Sequence, residues 1–132
     1  MIKLAQSYGG KPAQLGDISH AENISEKYLG QIVIILKNAG LIDSVRGAQG
    51  GFLLTRPPEQ INVMIITEAL EGDISIVPCT ETQSVCDRGS NCISRIVWKD
   101  LNNAVRSVLS KYTLKDLIEM EKQNSSNSMF YI

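Results

Sequence analysis

The chain has 132 residues, 13 Lys+Arg against 14 Asp+Glu and 43% apolar residues, a balance that fits one compact domain or a small domain with an appended arm and excludes a disordered chain. Its longest apolar run, Ile32 to Leu36, falls far short of the ~20 residues of a transmembrane helix. No basic-then-apolar signal segment opens the chain, so a cytoplasmic protein with no membrane partner is expected. The net charge of -1 divides unevenly, with six basic against four acidic residues in 1–56 and seven against ten in the remainder. That is a solvated mixture of charges, which by itself does not indicate nucleic acid.

In chain order, Ile2, Leu4 and Ala5 begin a short helix that Gly9-Gly10 and Pro12 stop. A second short helix runs from about Gln14 to Ala21, with Leu15 and Ile18 on one face. Ser25 then caps a third. Glu26 suits the positive end of its dipole, Tyr28, Leu29, Ile32, Ile35 and Leu36 form its apolar stripe, and Gly40 ends it. Two short helices on a tight connection form a helix-turn-helix arrangement, although such a pair also arises as ordinary core packing.

The segment Leu41 to Leu54 holds Gly47, Gly50 and Gly51 between two short apolar flanks. Those glycines permit the positive φ of a hairpin tip. A hairpin directly after the second helix, with Arg46 at its base, predicts a winged helix in which the helix enters the major groove and Arg46 reaches a phosphate or the minor groove. Pro57-Pro58 closes this unit, and Asn62 caps a helix through about Glu71 that Gly72 ends. Residues 73–91 lack a sustained period and read as a loop. A long helix from about Cys92 to Lys111 carries Trp98, Leu101, Val105, Val108 and Leu109. Because a helix-turn-helix needs a second copy to cover a palindrome, this long helix is expected to make a homodimer. Thr113 to Ile118 forms a final short helix, and Gln123 to Ser128 a polar, mobile tail.

The expected fold class is therefore mainly α with a small β-hairpin wing. Residues 1–72 form a winged helix-turn-helix domain, 73–91 a cysteine loop, and 92–132 a dimerisation helix, a short helix and a tail. Cys79, Cys86 and Cys92 all fall in or beside that loop. An odd count without a secretion signal points to metal or redox chemistry rather than a disulfide framework. The spacings are wider than those of zinc knuckles or thioredoxin motifs. Three thiolates suit an iron–sulfur cluster, which needs a fourth ligand, and plain thiol oxidation remains open. No nucleophile–base pair, phosphate loop or paired-carboxylate site is present, so an enzyme is not expected. His20, the single histidine, reads as a surface residue.

The runs Ile24 to Leu29, Ala39 to Leu54 and Ala69 to Gly72, together with Cys92 to Trp98, Thr113 to Leu117 and Met129 to Ile132, resemble the bacterial IscR/NsrR/CymR family of winged-helix transcription regulators. The resemblance implies a homodimer on palindromic double-stranded promoter DNA and, in the cysteine-bearing branch, an iron–sulfur cluster ([2Fe-2S] or [4Fe-4S]) held by Cys79, Cys86 and Cys92. It places Ser25, Lys27, Tyr28 and Gln31 at recognition-helix contacts and Arg46, Gly47, Gln49 and Gly50 at wing contacts. Gln31 can bond an adenine edge in a bidentate manner, a contact worth ~1–3 kcal/mol of discrimination, while Lys27 and Tyr28 hold phosphates.

Three departures stand out. Gly30 occupies a position where some relatives carry an acidic specificity residue, so target preference does not transfer. Arg95 stands where some relatives place a histidine and cannot ligate metal. The fourth ligand then falls to Asp87, Glu81, an upstream residue or a small molecule, and Arg95 and Trp98 are expected to anchor the loop. The family's first helix also begins about a dozen residues further upstream with a basic, aromatic stretch, so a misassigned start or a truncated first helix is expected, with the contacts of that stretch missing here. A cluster-free regulator of cysteine or sulfur metabolism, controlled by a metabolic enzyme as partner or by thiol oxidation, is the alternative that the closing Met-Phe-Tyr-Ile suggests.

Overall fold

A computed structural model describes residues 1–80 and 92–128. Helices α1 (Ile2–Gln6), α2 (Leu15–Glu22) and α3 (Glu26–Asn38) lead into strands β1 (Ile42–Val45) and β2 (Gly51–Leu54). Helices α4 (Val63–Glu71), α5 (Ile93–Lys111) and α6 (Leu114–Ser128) follow. This is the mainly helical, winged arrangement that the sequence predicts. Ser25 caps α3 by accepting from the Tyr28 amide at 3.2 Å, and Asn62 caps α4 by accepting from the Ile65 amide at 2.9 Å. Asn23 takes the left-handed conformation after α2 (φ 53°), and Ser19 bonds the Ile24 carbonyl at 2.6 Å. Together they set the turn between α2 and α3, because asparagine tolerates that conformation better than most residues.

The hairpin pairs antiparallel, Ile42 opposite Leu54 and Val45 opposite Gly51. Its free edge is covered from an unexpected quarter. Ala13, in the link between α1 and α2, exchanges two backbone hydrogen bonds with Phe52, at 3.0 and 2.9 Å. A second backbone pairing joins the two halves of the chain: the Val63 amide donates to Tyr112 and the Leu114 amide to Ile61, both at 2.9 Å. Accordingly, Leu4, Ala5, Leu36, Leu41, Ile42, Leu54, Ile61 and Leu114 share one core, and the fold is sealed by residues more than a hundred positions apart.

Two expectations need correction. Residues 123–128 are not a tail but the last turns of α6. The helix continues because α6 lies along α1, where Gln6 donates to Glu121 and Lys3 pairs with the same carboxylate at 3.9 Å. Tertiary packing of this kind carries a sequence with few apolar residues into a helix. The stripe expected on α5 is also split. Val105 and Leu109 are half-buried on the side that carries the buried Asn102, whereas Trp98, Leu101 and Val108 of that stripe are exposed, as are Ile93, Ile96 and Val97 beside it.

Candidate nucleic-acid interface and cysteine segment

The exposed face of α3 carries Lys27, Tyr28 and Gln31, with Ser25 at its first turn. At about 100° per residue, Lys27, Gln31, Ile34 and Asn38 fall within about 60° of arc, opposite the core side of Leu29 and Leu36. The Ser25 oxygen is engaged as an acceptor by the cap, which leaves its hydroxyl proton for an oxygen outside the helix. Lys37, on the same helix, reaches across the surface to the wing instead. It bonds the Ser44 hydroxyl and pairs with Asp43 at 3.6 Å, tying the base of the wing to α3.

Beyond that tie, Arg46, Gly47, Ala48 and Gln49 are exposed at the tip. Gly47 has φ 117°, a value that glycine adopts without strain. The Gly50 amide donates to the Gly47 carbonyl at 3.0 Å, and a Cβ at Gly50 would sit 2.9 Å from that oxygen. The wing residues are thus held close to the helix by Lys37, with Arg46 free to extend. His20 is exposed, as expected.

Further along the chain, Cys79 lies in the single helical turn Pro78–Thr80, and Cys92 is the N-cap residue of α5. Both are half-buried free thiols. Cys86, Glu81 and Asp87 lie outside the described residues. Among the described residues no three potential metal ligands converge. The donor chemistry nevertheless suits an anionic iron–sulfur group: Cys92 stands at the positive end of a 19-residue helix whose first turn contains no acidic residue.

Asn102, which is only 7% exposed, organises the described part of the loop. Its oxygen accepts from the Ile76 amide at 3.0 Å, and its side-chain amide donates to the Thr80 hydroxyl at 2.7 Å. Arg106 adds Glu68 at 3.1 Å, Asp73, and the Ile74 carbonyl. The hydrogen bond to Asp73 is the first cause that raises the guanidinium above its ordinary pKa. The anchors among the described residues are therefore Asn102 and Arg106; the contacts expected of Arg95 and Trp98 with residues 81–91 lie outside the described residues. An asparagine beside Asn103 in a polar helix offers no sequence signal of burial; its position one turn before Arg106 on the same face is the nearest clue. Asn102→Ala is expected to lower unfolding free energy by about 1–3 kcal/mol, because it strips partners from a backbone amide and a hydroxyl. It is also expected to speed hydrogen exchange at the Ile76 amide. Denaturant titration and exchange measured by NMR read both, and unchanged exchange at Ile76 would contradict the pinning role.

The arrangement of capped helix, braced wing and long helix can be compared with known proteins. A family model described as Rrf2, "Iron-dependent Transcriptional regulator", matches residues 1–120. The chain belongs to the Rrf2 family. It is 39% identical over 132 residues to the HTH-type transcriptional regulator CymR of Bacillus subtilis, covering all of this chain and 91% of that protein. The solved structure of that regulator, described as the global cysteine regulator of B. subtilis, superposes with a TM-score of 0.76 at 39% identity, over 90% of this chain and 87% of the other. T. potens IscR superposes with a TM-score of 0.75 at 32% identity, over 93% and 80% of the two chains. This Rrf2-family chain is thus a DNA-binding transcription regulator, a class that points away from enzymatic activity. No helix among its described residues is long and apolar enough to cross a membrane.

Proposed function

We propose that this Rrf2-family regulator is a homodimer whose grip on promoter DNA is set by an iron–sulfur cluster at Cys79, Cys86 and Cys92. The observation that carries the reading is the placement of Cys79 and Cys92 on anchored elements at the two ends of the segment that contains Cys86. The iron-dependent description of the family supports it. A [2Fe-2S] or [4Fe-4S] cluster held by these thiolates supplies a charge and a redox state that respond to iron and oxidants. The protein's share is mechanical. Closing the segment on its two ends stiffens the junction between α4 and α5, and a dimer built on α5 then holds its two winged-helix units at one spacing.

The dimer reading rests on α5. Ile93, Val97, Leu101 and Val108 are 82, 64, 42 and 56% exposed and, with Ala104, fall within about 80° of arc. Such a seam suits an antiparallel or parallel partner helix. Residues 1–72 serve as the DNA-binding unit, residues 92–132 pair the copies, and residues 73–91 carry the sensor. Ser25, Lys27, Tyr28 and Gln31 meet the major groove; Arg46, Gly47, Gln49 and Gly50 meet the backbone or the minor groove.

A second reading is favoured by the match to a cysteine regulator along the whole chain: a cluster-free regulator governed by a partner enzyme or by thiol oxidation. One experiment separates the two. Protein purified without oxygen is assayed for iron, sulfide and visible absorption, and its promoter affinity is measured before and after iron removal. Cluster control predicts a chromophore and at least a tenfold change in affinity. A colourless protein whose triple cysteine-to-serine variant binds the same promoter DNA unchanged would leave the partner reading.

A further inference from the structure

Two aliphatic residues of α3 are exposed, Ile35 at 40% and, further from the core, Ile34, and Ile34 has the wrong chemistry for a solvated surface. Ile34 is 61% exposed, although the helix has an apolar side already filled by Leu29 and Leu36. On the helical wheel Ile34 lies about 20° from Lys27, about 60° from Gln31 and about 40° from Asn38. It stands at one end of that polar arc, about 160° from Leu36 and about 140° from Leu29, and so away from the core. Tyr28, at 57% exposure, flanks the opposite margin of that face. An exposed apolar residue is common. This one sits on the line of residues that the proposed function directs at the major groove, at the i, i+3, i+4, i+7 spacing of Lys27, Gly30, Gln31 and Ile34. That is the spacing by which a recognition helix lines up one face along the groove, here with side chains at three of the four positions.

We infer that Ile34 is a specificity-determining residue that packs on the 5-methyl group of a thymine. The inference rests on the reading of α3 as the recognition helix and assigns it a further reader. The chemistry selects the ligand. In the major groove, adenine, guanine and cytosine present hydrogen-bonding groups, whereas thymine also presents a methyl group. A branched aliphatic side chain has no hydrogen bond to offer and gains only by removing apolar surface from water. Gly30, one turn before Ile34, adds no side chain between it and the groove, and a Cβ there would meet nothing within 4 Å. The helix can therefore approach the bases closely along this line. Three residues of helix separate Gln31 from Ile34, an axial rise of about 4.5 Å, against about 3.4 Å per base pair. The thymine then lies one or two base pairs from the base that Gln31 reads.

The test uses the full chain and a duplex that it selects from a random pool. Each thymine in turn is replaced by deoxyuridine, which lacks only the methyl group, and affinity is followed by fluorescence anisotropy at fixed salt. The wild type is expected to lose about threefold to tenfold at one thymine per half-site. Ile34→Ser is expected to bind the thymine and deoxyuridine duplexes equally, while Ile34→Val retains most of the preference. Circular dichroism and gel filtration of each variant report the fold and the oligomeric state. If Ile34→Ser keeps the full deoxyuridine penalty, or alters only the oligomeric state, the inference is overturned and Ile34 contacts protein instead. Lys27→Ala and Gln31→Ala isolate the underlying reading. If they weaken binding while the deoxyuridine effect stays independent of Ile34, α3 reads DNA without this residue; if neither weakens it, the recognition-helix reading falls as well.

Discussion

Gly51→Ala is expected to destabilise the protein by about 2–4 kcal/mol and to dislodge the wing. A Cβ at this position would overlap the Ala13 carbonyl, with its carbon at 2.8 Å and the Gln14 amide nitrogen at 3.2 Å. These are backbone atoms, so no flexible side chain can yield. Relief requires the link between α1 and α2 to separate from β2, which breaks the two hydrogen bonds between Ala13 and Phe52. Losses of that size come from steric strain combined with lost backbone bonds. Thermal melting and DNA titration check the outcome: a lower melting temperature should accompany weaker promoter binding, since Arg46 and Gln49 ride on the displaced hairpin. An alanine variant that melts with the wild type would show that the Ala13 pairing does not brace the wing.

Ile61→Ala is the second substitution with a large expected effect, about 3–4 kcal/mol in unfolding free energy. Ile61 is fully buried and contributes to the junction where its carbonyl receives the Leu114 amide. Truncation removes three carbons and leaves a cavity among Leu114, Leu41 and the neighbouring core, which collapses only partly because backbone pairing holds both sides in place. Buried isoleucine-to-alanine changes in such settings cost 2–5 kcal/mol. The damage should be regional as well as global. Amide exchange in α6 should accelerate more than exchange in α3, because α6 is attached to the N-terminal half through this junction and through α1. Uniform acceleration in both helices would argue against Ile61 as a hinge of that attachment.

At the far side of this junction, Thr113 and Asp116 hold each other in a capping arrangement at the start of α6. The Thr113 amide donates to the Asp116 carboxylate at 2.8 Å, and the hydroxyl does so at 2.7 Å. The hydroxyl bond, followed by the amide bond, holds Asp116 below the usual carboxylate range. A threonine followed by an aspartate three positions on is a readable start signal, and the sequence reading begins its last helix there. It stops that helix too soon, since nothing in Gln123 to Ser128 announces that α1 will lie alongside.

The same division runs through the candidate site. Ser25 as a cap, the apolar stripe of α3 and the glycine cluster of the wing depend on neighbours within one or two turns, and each is legible from spacing alone. Asn102, the Ala13 edge pairing and the reach of Lys37 to the wing depend on partners 22 to 26, 39 and 6 to 7 positions away. Lys37 shows the limit most plainly: as a lysine in the last turn of a helix it is indistinguishable in sequence from a phosphate-binding cation, and only its approach to Asp43 and Ser44 assigns it to the wing base.

By itself, then, the amino-acid sequence determined where helices begin, where the hairpin turns and which family the chain resembles, because caps, glycines and 3.6-residue periodicity act through local backbone geometry. The tertiary structure alone decided which polar residue is buried, which apolar residues of α3 and α5 are left facing water, and how far α6 runs. Those outcomes depend on what lies opposite each face once the chain has closed on itself, and burial is a property of the pair of surfaces rather than of either one.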